Sequence, residues 1–137
     1  FLAAPEGSHM PIHGLSPFAL RLFNAPVSAQ SGGNAGGQAI LVQWANHMLL
    51  VTGDQEGPAL RWLAAALPDT HQLSTTLIIP HHGLNTDGLP ELLDICKPIR
   101  ALVSCSIKDF PLPATAVLEK RGIPLFSTAR DGVLSWP

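Results

Sequence analysis

The sequence has no tyrosine and is poor in charge: only 13% of its 137 residues are Asp, Glu, Lys or Arg. Average usage is about 25%, so the surface is short of solvating charge. The formal net charge of −2 excludes the general electrostatic attraction that draws a basic domain to nucleic acid. No strong basic patch exists. Five Phe and three Trp among scattered basic residues leave no stacking platform for single strands. No apolar run reaches the roughly 18 residues that would span a bilayer. Only two cysteines occur, Cys96 and Cys105. That excludes a disulfide-rich scaffold, and both read as reduced, small buried side chains.

Several motifs are absent too. Without Gly-x-Ser-x-Gly there is no nucleophile elbow of a serine hydrolase. There is no Cys-x-x-Cys, no P-loop and no Gly-x-Gly-x-x-Gly. Gly32-Gly33-Asn34 precedes a strand rather than opening a helix, so it does not cradle phosphate. His9 and His13 have helical spacing, but Pro11 between them argues against one helix face presenting both. His47 and His71 read as surface residues.

What is present is concentrated in two strand ends. Residues 75–79 are β-branched and aliphatic and read as a buried strand. Pro80 ends its pairing, and Gly83 permits a sharp turn. His81 and His82 therefore sit at a strand mouth. Upstream, Leu49-Leu50-Val51-Thr52-Gly53-Asp54 is an apolar strand that ends in a glycine and a carboxylate. Asp54 alone reads as readily as a turn or capping residue. Two adjacent histidines leaving a strand point in opposite directions, so one faces a given site and the other packs or orients it. Asp54 with His81 or His82 makes a plausible metal-ligand set. Catalytic zinc needs at least three protein ligands and an open position, so the set is incomplete. The two strand ends should meet at one edge of one sheet.

The order of elements is α/β, a mixed sheet flanked by helices with a β-hairpin in front. Residues 1–37 form an irregular N-terminal segment. It holds a candidate edge strand at 1–5, an alternating strand at 18–23 and a Gly/Ser loop at 28–38. Gly7-Ser8-His9-Met10 matches a common cloning scar, and a tag remnant would carry no function. A chain that begins Phe1-Leu2-Ala3, without an initiator Met or a basic leader, reads as a fragment or processed product. From residue 38 the pattern is regular. Segments 39–44 and 47–52 form a hairpin about Ala45-Asn46. Helices are expected over 58–67, 89–95 and 113–120, the last ended by Gly122 at C′. Between the last two helices a strand is expected at 101–104, and two final strands at 124–127 and 132–136.

This order resembles the carboxy-terminal half of the metallo-β-lactamase fold, and within it the domain of ComEC-type DNA-internalisation competence proteins. The residues that carry the resemblance are Leu49-Leu50-Val51-Thr52-Gly53-Asp54 and Leu77-Ile78-Ile79-Pro80-His81-His82-Gly83. Ala101-Leu102-Val103-Ser104 and Asp131-Gly132-Val133-Leu134 follow. It covers residues 34–136. The resemblance implies the second half of an αββα sandwich. Asp54 would be the carboxylate that bridges two metal ions, zinc or manganese, and His81 or His82 the last histidine ligand. Asn34, Gly53 and Gly83 would lie beside the site. The implied activity is metal-dependent hydrolysis, nuclease-related, in DNA uptake. Implied partners are single- or double-stranded DNA and the membrane portion of the same parent protein. The implied location is a soluble domain of a bacterial membrane protein at the outer face of the inner membrane, or the cytoplasm for a stand-alone chain.

The departures are specific. The family's His-x-His-x-Asp-His is absent. Leu84 stands where Ser usually follows His-His-Gly. Asn34-Ala35-Gly36-Gly37 replaces Asn-x-x-Ser, and Leu112-Pro113 replaces His-Pro. The expectation is a partial or degenerate hydrolase domain, inactive alone. The alternative is a non-catalytic binding or scaffold domain on the same fold, with protein or DNA contacts.

Overall fold

The computed structural model describes residues 7–12, 17–29, 37–69 and 72–136. Seven strands form one sheet in sequence order, β1 (Ser8–Ile12), β2 (Phe18–Asn24), β3 (Gln38–Trp44), β4 (His47–Val51), β5 (Ser74–Ile78), β6 (Arg100–Val103) and β7 (Leu125–Ser127). The first four pair antiparallel, and β4 to β7 pair parallel. The fold is α/β with a mixed sheet. The change from antiparallel to parallel follows from the connections. Ala45-Asn46 closes a two-residue hairpin between β3 and β4. The strands after β4 are separated by the helices α1 (Pro58–Ala66), α2 (Leu89–Cys96) and α3 (Pro113–Glu119), and a parallel pair needs such a crossover.

Consecutive parallel strands joined by right-handed crossovers put their helices on one face. The core bears this out. Leu60 and Leu63 of α1, Leu89, Leu92 and Leu93 of α2, and Leu118 of α3 are buried in one cluster with Phe23, Leu41, Leu50, Leu77, Ala101 and Val103 of the sheet. The buried positions of α1 and α2 recur at three- and four-residue spacing, as an amphipathic helix requires. Pro58 and Pro113 occupy first helical positions, where a missing N–H costs nothing. The other sheet face is also apolar. Ile40, Val42, Leu49, Val51 and Ile78 there are only half-buried, and Phe126 is exposed. None of them joins the core cluster.

Two expectations need correction. Residues 132–136 are not a strand: β7 runs straight into α4 (Thr128–Asp131). Ser127 caps that helix, its hydroxyl accepting from Arg130 N at 3.1 Å while Asp131 Oδ2 accepts from Ser127 N at 2.8 Å. Residues 127–131 thus satisfy a helix N-terminus instead of leading into a further strand. Gly122 closes α3 at C′ as expected: it is left-handed (φ +66°), its N–H donates to Glu119 O at 3.0 Å, and Ile123 N donates to Leu118 O at 3.1 Å. Within the segment read as irregular, the strand expected at 18–23 is present as Phe18–Asn24, and Ser8–Ile12, not anticipated, pairs with it as a further strand of the same sheet. Pro11 in β1 conceals that strand, and it is tolerated because β1 is an edge. The candidate strand at 1–5, His13, Asn34 and His71 lie outside the described residues.

Candidate metal-facing site at the ends of β4 and β5

The two strand ends are fastened together before any functional side chain is considered. The Thr52 hydroxyl donates to Ile78 O at 3.0 Å, and His81 N donates to Gly53 O at 3.1 Å. Thr52 is fully buried, so its hydroxyl had to find a partner. Further along, Gly57 N donates to Asp87 O at 2.8 Å. Arg61 on α1 braces the same place through Asp87 at 2.8 Å and Glu91 at 3.5 Å. Gly88 is needed there: a Cβ on it would sit 2.5 Å from Gly57 O. Two loops, residues 52–57 and 79–88, are therefore one unit.

After Pro80 the chain turns through two consecutive left-handed residues, His81 (φ 48°, ψ 44°) and His82 (φ 52°, ψ 17°). Each such L-residue costs about 1–2 kcal/mol, and the conformation persists only where the surroundings over-determine it. Gly83 follows at φ +78°, and a Cβ there would lie 3.1 Å from Leu112 Cδ1. The reversal throws the two imidazoles apart, as expected of adjacent residues. They make separate partnerships.

His82 Nδ1 lies 2.7 Å from Ser104 O at the end of β6. A carbonyl only accepts, so Nδ1 carries the hydrogen and donates it. Nε2 of a neutral His82 then keeps its lone pair, and it faces Asp54 Oδ1 at 3.9 Å. That separation is too long for a hydrogen bond. Two metal bonds of about 2.0–2.1 Å at a tetrahedral angle hold their donor atoms roughly 3.4 Å apart, so a bound metal would draw these two exposed side chains together by about half an ångström. Both side chains are about half exposed, 56% for His82 and 52% for Asp54, so the gap between them is open to solvent. An imidazole whose Nδ1 is held by a backbone carbonyl and whose Nε2 is free is the usual state of a metal-ligating histidine. On this chemistry the pair fits one edge of a divalent-metal site.

His81 is occupied elsewhere. Its Nδ1 lies 3.1 Å from Glu56 Oε2. The same Glu56 oxygen accepts a short hydrogen bond from Asn85 Nδ2. The geometry thus separates the two histidines: His82 faces Asp54, and His81 faces Glu56. Among the described residues no three His, Cys, Asp or Glu side chains converge on one metal position. Glu56, Asn85 and the Ser104 carbonyl are not evident from motif reading. The available signal was a second acid two residues after Asp54 and an amide three residues after His82, each inside a loop already singled out.

The remaining titratable groups lie outside this arrangement. Cys96, the last residue of α2, faces the core, and burial pushes its thiol up to about 12. The Cys105 thiol is raised chiefly by burial, with Asp109 adding to it. Its backbone N–H donates to Thr128 Oγ1 at 3.3 Å. Both cysteines are free thiols. The remaining histidines among the described residues do not contribute. His9 lies on β1 beside Phe23, and His47 stacks on Trp44 with ring centroids 6.1 Å apart. No helix among the described residues is long and apolar enough to cross a membrane. No protein-family model, curated protein or solved structure matches this chain.

Proposed function

We propose that this chain is part of a metal-dependent hydrolase domain of the metallo-β-lactamase kind, from a ComEC-type competence protein that handles incoming DNA. The observation that carries this reading is the Asp54–His82 pair, 3.9 Å apart with His82 Nδ1 held by Ser104 O. Its position also supports the reading. The pair sits at the carboxyl ends of parallel strands, where open α/β sheets bind ligands. A bound zinc or manganese would supply Lewis acidity toward a phosphoryl oxygen and an activated water. Asp54 and His82 would hold it from one side, and the remaining donors would come from polypeptide outside these two loops. The apolar sheet face opposite the helices supports a partial domain, since a second sheet packed on it would bury Ile40, Val42, Leu49 and Val51. On this reading the domain belongs beside the membrane portion of its own parent protein, at the outer face of a bacterial inner membrane.

A second reading rests on a different observation. Two donors among the described residues are fewer than catalytic zinc requires. With an open apolar sheet face, they favour a scaffold domain that has lost catalysis and keeps the fold for contacts with protein or DNA. Metal content separates the two. The hydrolase reading expects zinc or manganese in stoichiometric amount in the purified parent protein, lost in Asp54→Ala. Absence of metal at every concentration tried, with folding unchanged, leaves the scaffold reading alone.

A further inference from the structure

One carboxylate near the site has no place in metal binding. Glu56 lies two residues beyond Asp54 on the first loop, and it is turned to the second loop rather than to the Asp54–His82 gap. Its Oε2 receives both His81 Nδ1, at 3.1 Å, and Asn85 Nδ2. His81 and Glu56 are three-quarters buried, with 26% and 23% of their side chains exposed. An ionised carboxylate only accepts, so both contacts are charge-assisted, the stronger class of hydrogen bond. Glu56 and the Gly53 carbonyl together hold His81 by its ring and by its backbone N–H.

His81 is also the first of the two left-handed residues. The backbone at that position sets the direction in which the chain leaves toward His82. Two adjacent left-handed L-residues together cost about 2–4 kcal/mol on the usual per-residue figure. Relaxation of His81 to negative φ would remove part of that strain. It would also swing the following residue, and the His82 ring would leave both Ser104 O and Asp54. Something must oppose this relaxation, and the Glu56 contacts are placed to do so. Asn85 extends the restraint to the far side of the turn. Its Oδ1 accepts from Asp87 N at 2.9 Å, an Asx-turn that fixes the amide group that Glu56 receives.

We propose that Glu56 is the positioning residue of this site. Through His81 Nδ1 and Asn85 Nδ2 it holds the His-His turn in the conformation that brings His82 Nε2 to Asp54, and it is not itself a ligand. The inference deepens the metal reading proposed above and, where it concerns affinity, rests on it. Residues that orient metal ligands typically change affinity by roughly 10–100-fold when removed.

The test uses the full chain and zinc alone. Wild type, Glu56→Ala, Glu56→Gln and Asp54→Ala are titrated with Zn2+ by calorimetry. Backbone HN–Hα and HN–Cβ couplings at residues 81 and 82 are measured without metal, where the two together report the sign of φ. Glu56→Gln keeps a side-chain oxygen that can accept; it should retain the left-handed couplings and bind zinc within about threefold of wild type. Glu56→Ala should lose the left-handed couplings and weaken zinc binding at least tenfold, on the scale of an orienting residue. Asn85→Ala, which removes one of the two bonds, should fall between them and serves if Glu56→Ala does not fold. Unchanged couplings and affinity in Glu56→Ala overturn the proposal. A Gln variant as weak as the Ala variant, with its couplings intact, overturns it in favour of Glu56 as a ligand. Wild type that binds no zinc while the couplings respond as stated refutes the metal reading and leaves Glu56 as the residue that sets the turn.

Discussion

The strain in the His-His turn gives an expectation that ordinary contact counting would miss. Replacing His82 removes its hydrogen bond to Ser104 O. On an exposed side chain that bond is worth about 0.5–1 kcal/mol. His82→Ala loses the bond and keeps the left-handed penalty, because alanine still has a Cβ. His82→Gly loses the same bond but also loses the penalty of about 1–2 kcal/mol. Against this stands the extra unfolded-state freedom of glycine, about 0.4–1 kcal/mol. The glycine variant should therefore be more stable than the alanine variant by about 0.5–1 kcal/mol, close to wild type, and higher in Tm by roughly 2–4 °C. Urea unfolding of the three proteins is the assay, with equal m-values as the condition for comparison. Ala45 supplies a control free of imidazole chemistry. It sits in the hairpin turn at φ 52°, so Ala45→Gly should stabilise by a similar margin. Alanine as stable as glycine at position 82, with the control behaving as stated, would refute the strained turn.

Two further expectations concern the frame of the site. Gly88→Ala would place a Cβ 2.5 Å from Gly57 O at φ +79°; it should destabilise by at least about 2 kcal/mol, a cost in the range of combined steric and backbone strain, seen as a lower urea midpoint. Burial raises the Cys96 thiol from 9.0 to about 12. The fold therefore holds a proton that the unfolded chain releases above pH 9. Stability should be level below that pH and should fall as pH rises from 9 toward 12, by up to about 1.4 kcal/mol per unit. Cys96→Ala should flatten that limb, as followed by urea midpoints across pH.

Much of the frame is legible in the sequence because it rests on local signals. The stripe Leu89, Leu92, Leu93 and Cys96 is a 3.6-residue pattern, and all four are buried. Pro58 and Pro113 mark helix starts, and the apolar runs on either side of Ala45-Asn46 mark the hairpin. What was not legible depends on particular partners rather than on periodicity. The strand at Ser8–Ile12 exists because β2 pairs with it, not because of its own alternation. The stretch after β7 becomes a short helix because the side chains of Ser127 and Asp131 cap it. At the site, Asp54, His81 and His82 are visible as strand-end residues. Which histidine faces Asp54 is not, because it depends on the left-handed turn and on Glu56, 25 residues from His81. Asn34 falls outside the described residues.

The central claim is that His82 Nε2 and Asp54 together face a divalent metal. Zinc titration of isotope-labelled protein, read at the imidazole nitrogens, addresses it most directly. The account expects a saturable shift at His82 Nε2, with Nδ1 of the same ring still protonated and His81 Nδ1 unmoved. Asp54→Ala should abolish the His82 response. A response centred on His81, or a His82 shift that persists unchanged in Asp54→Ala, would contradict the account.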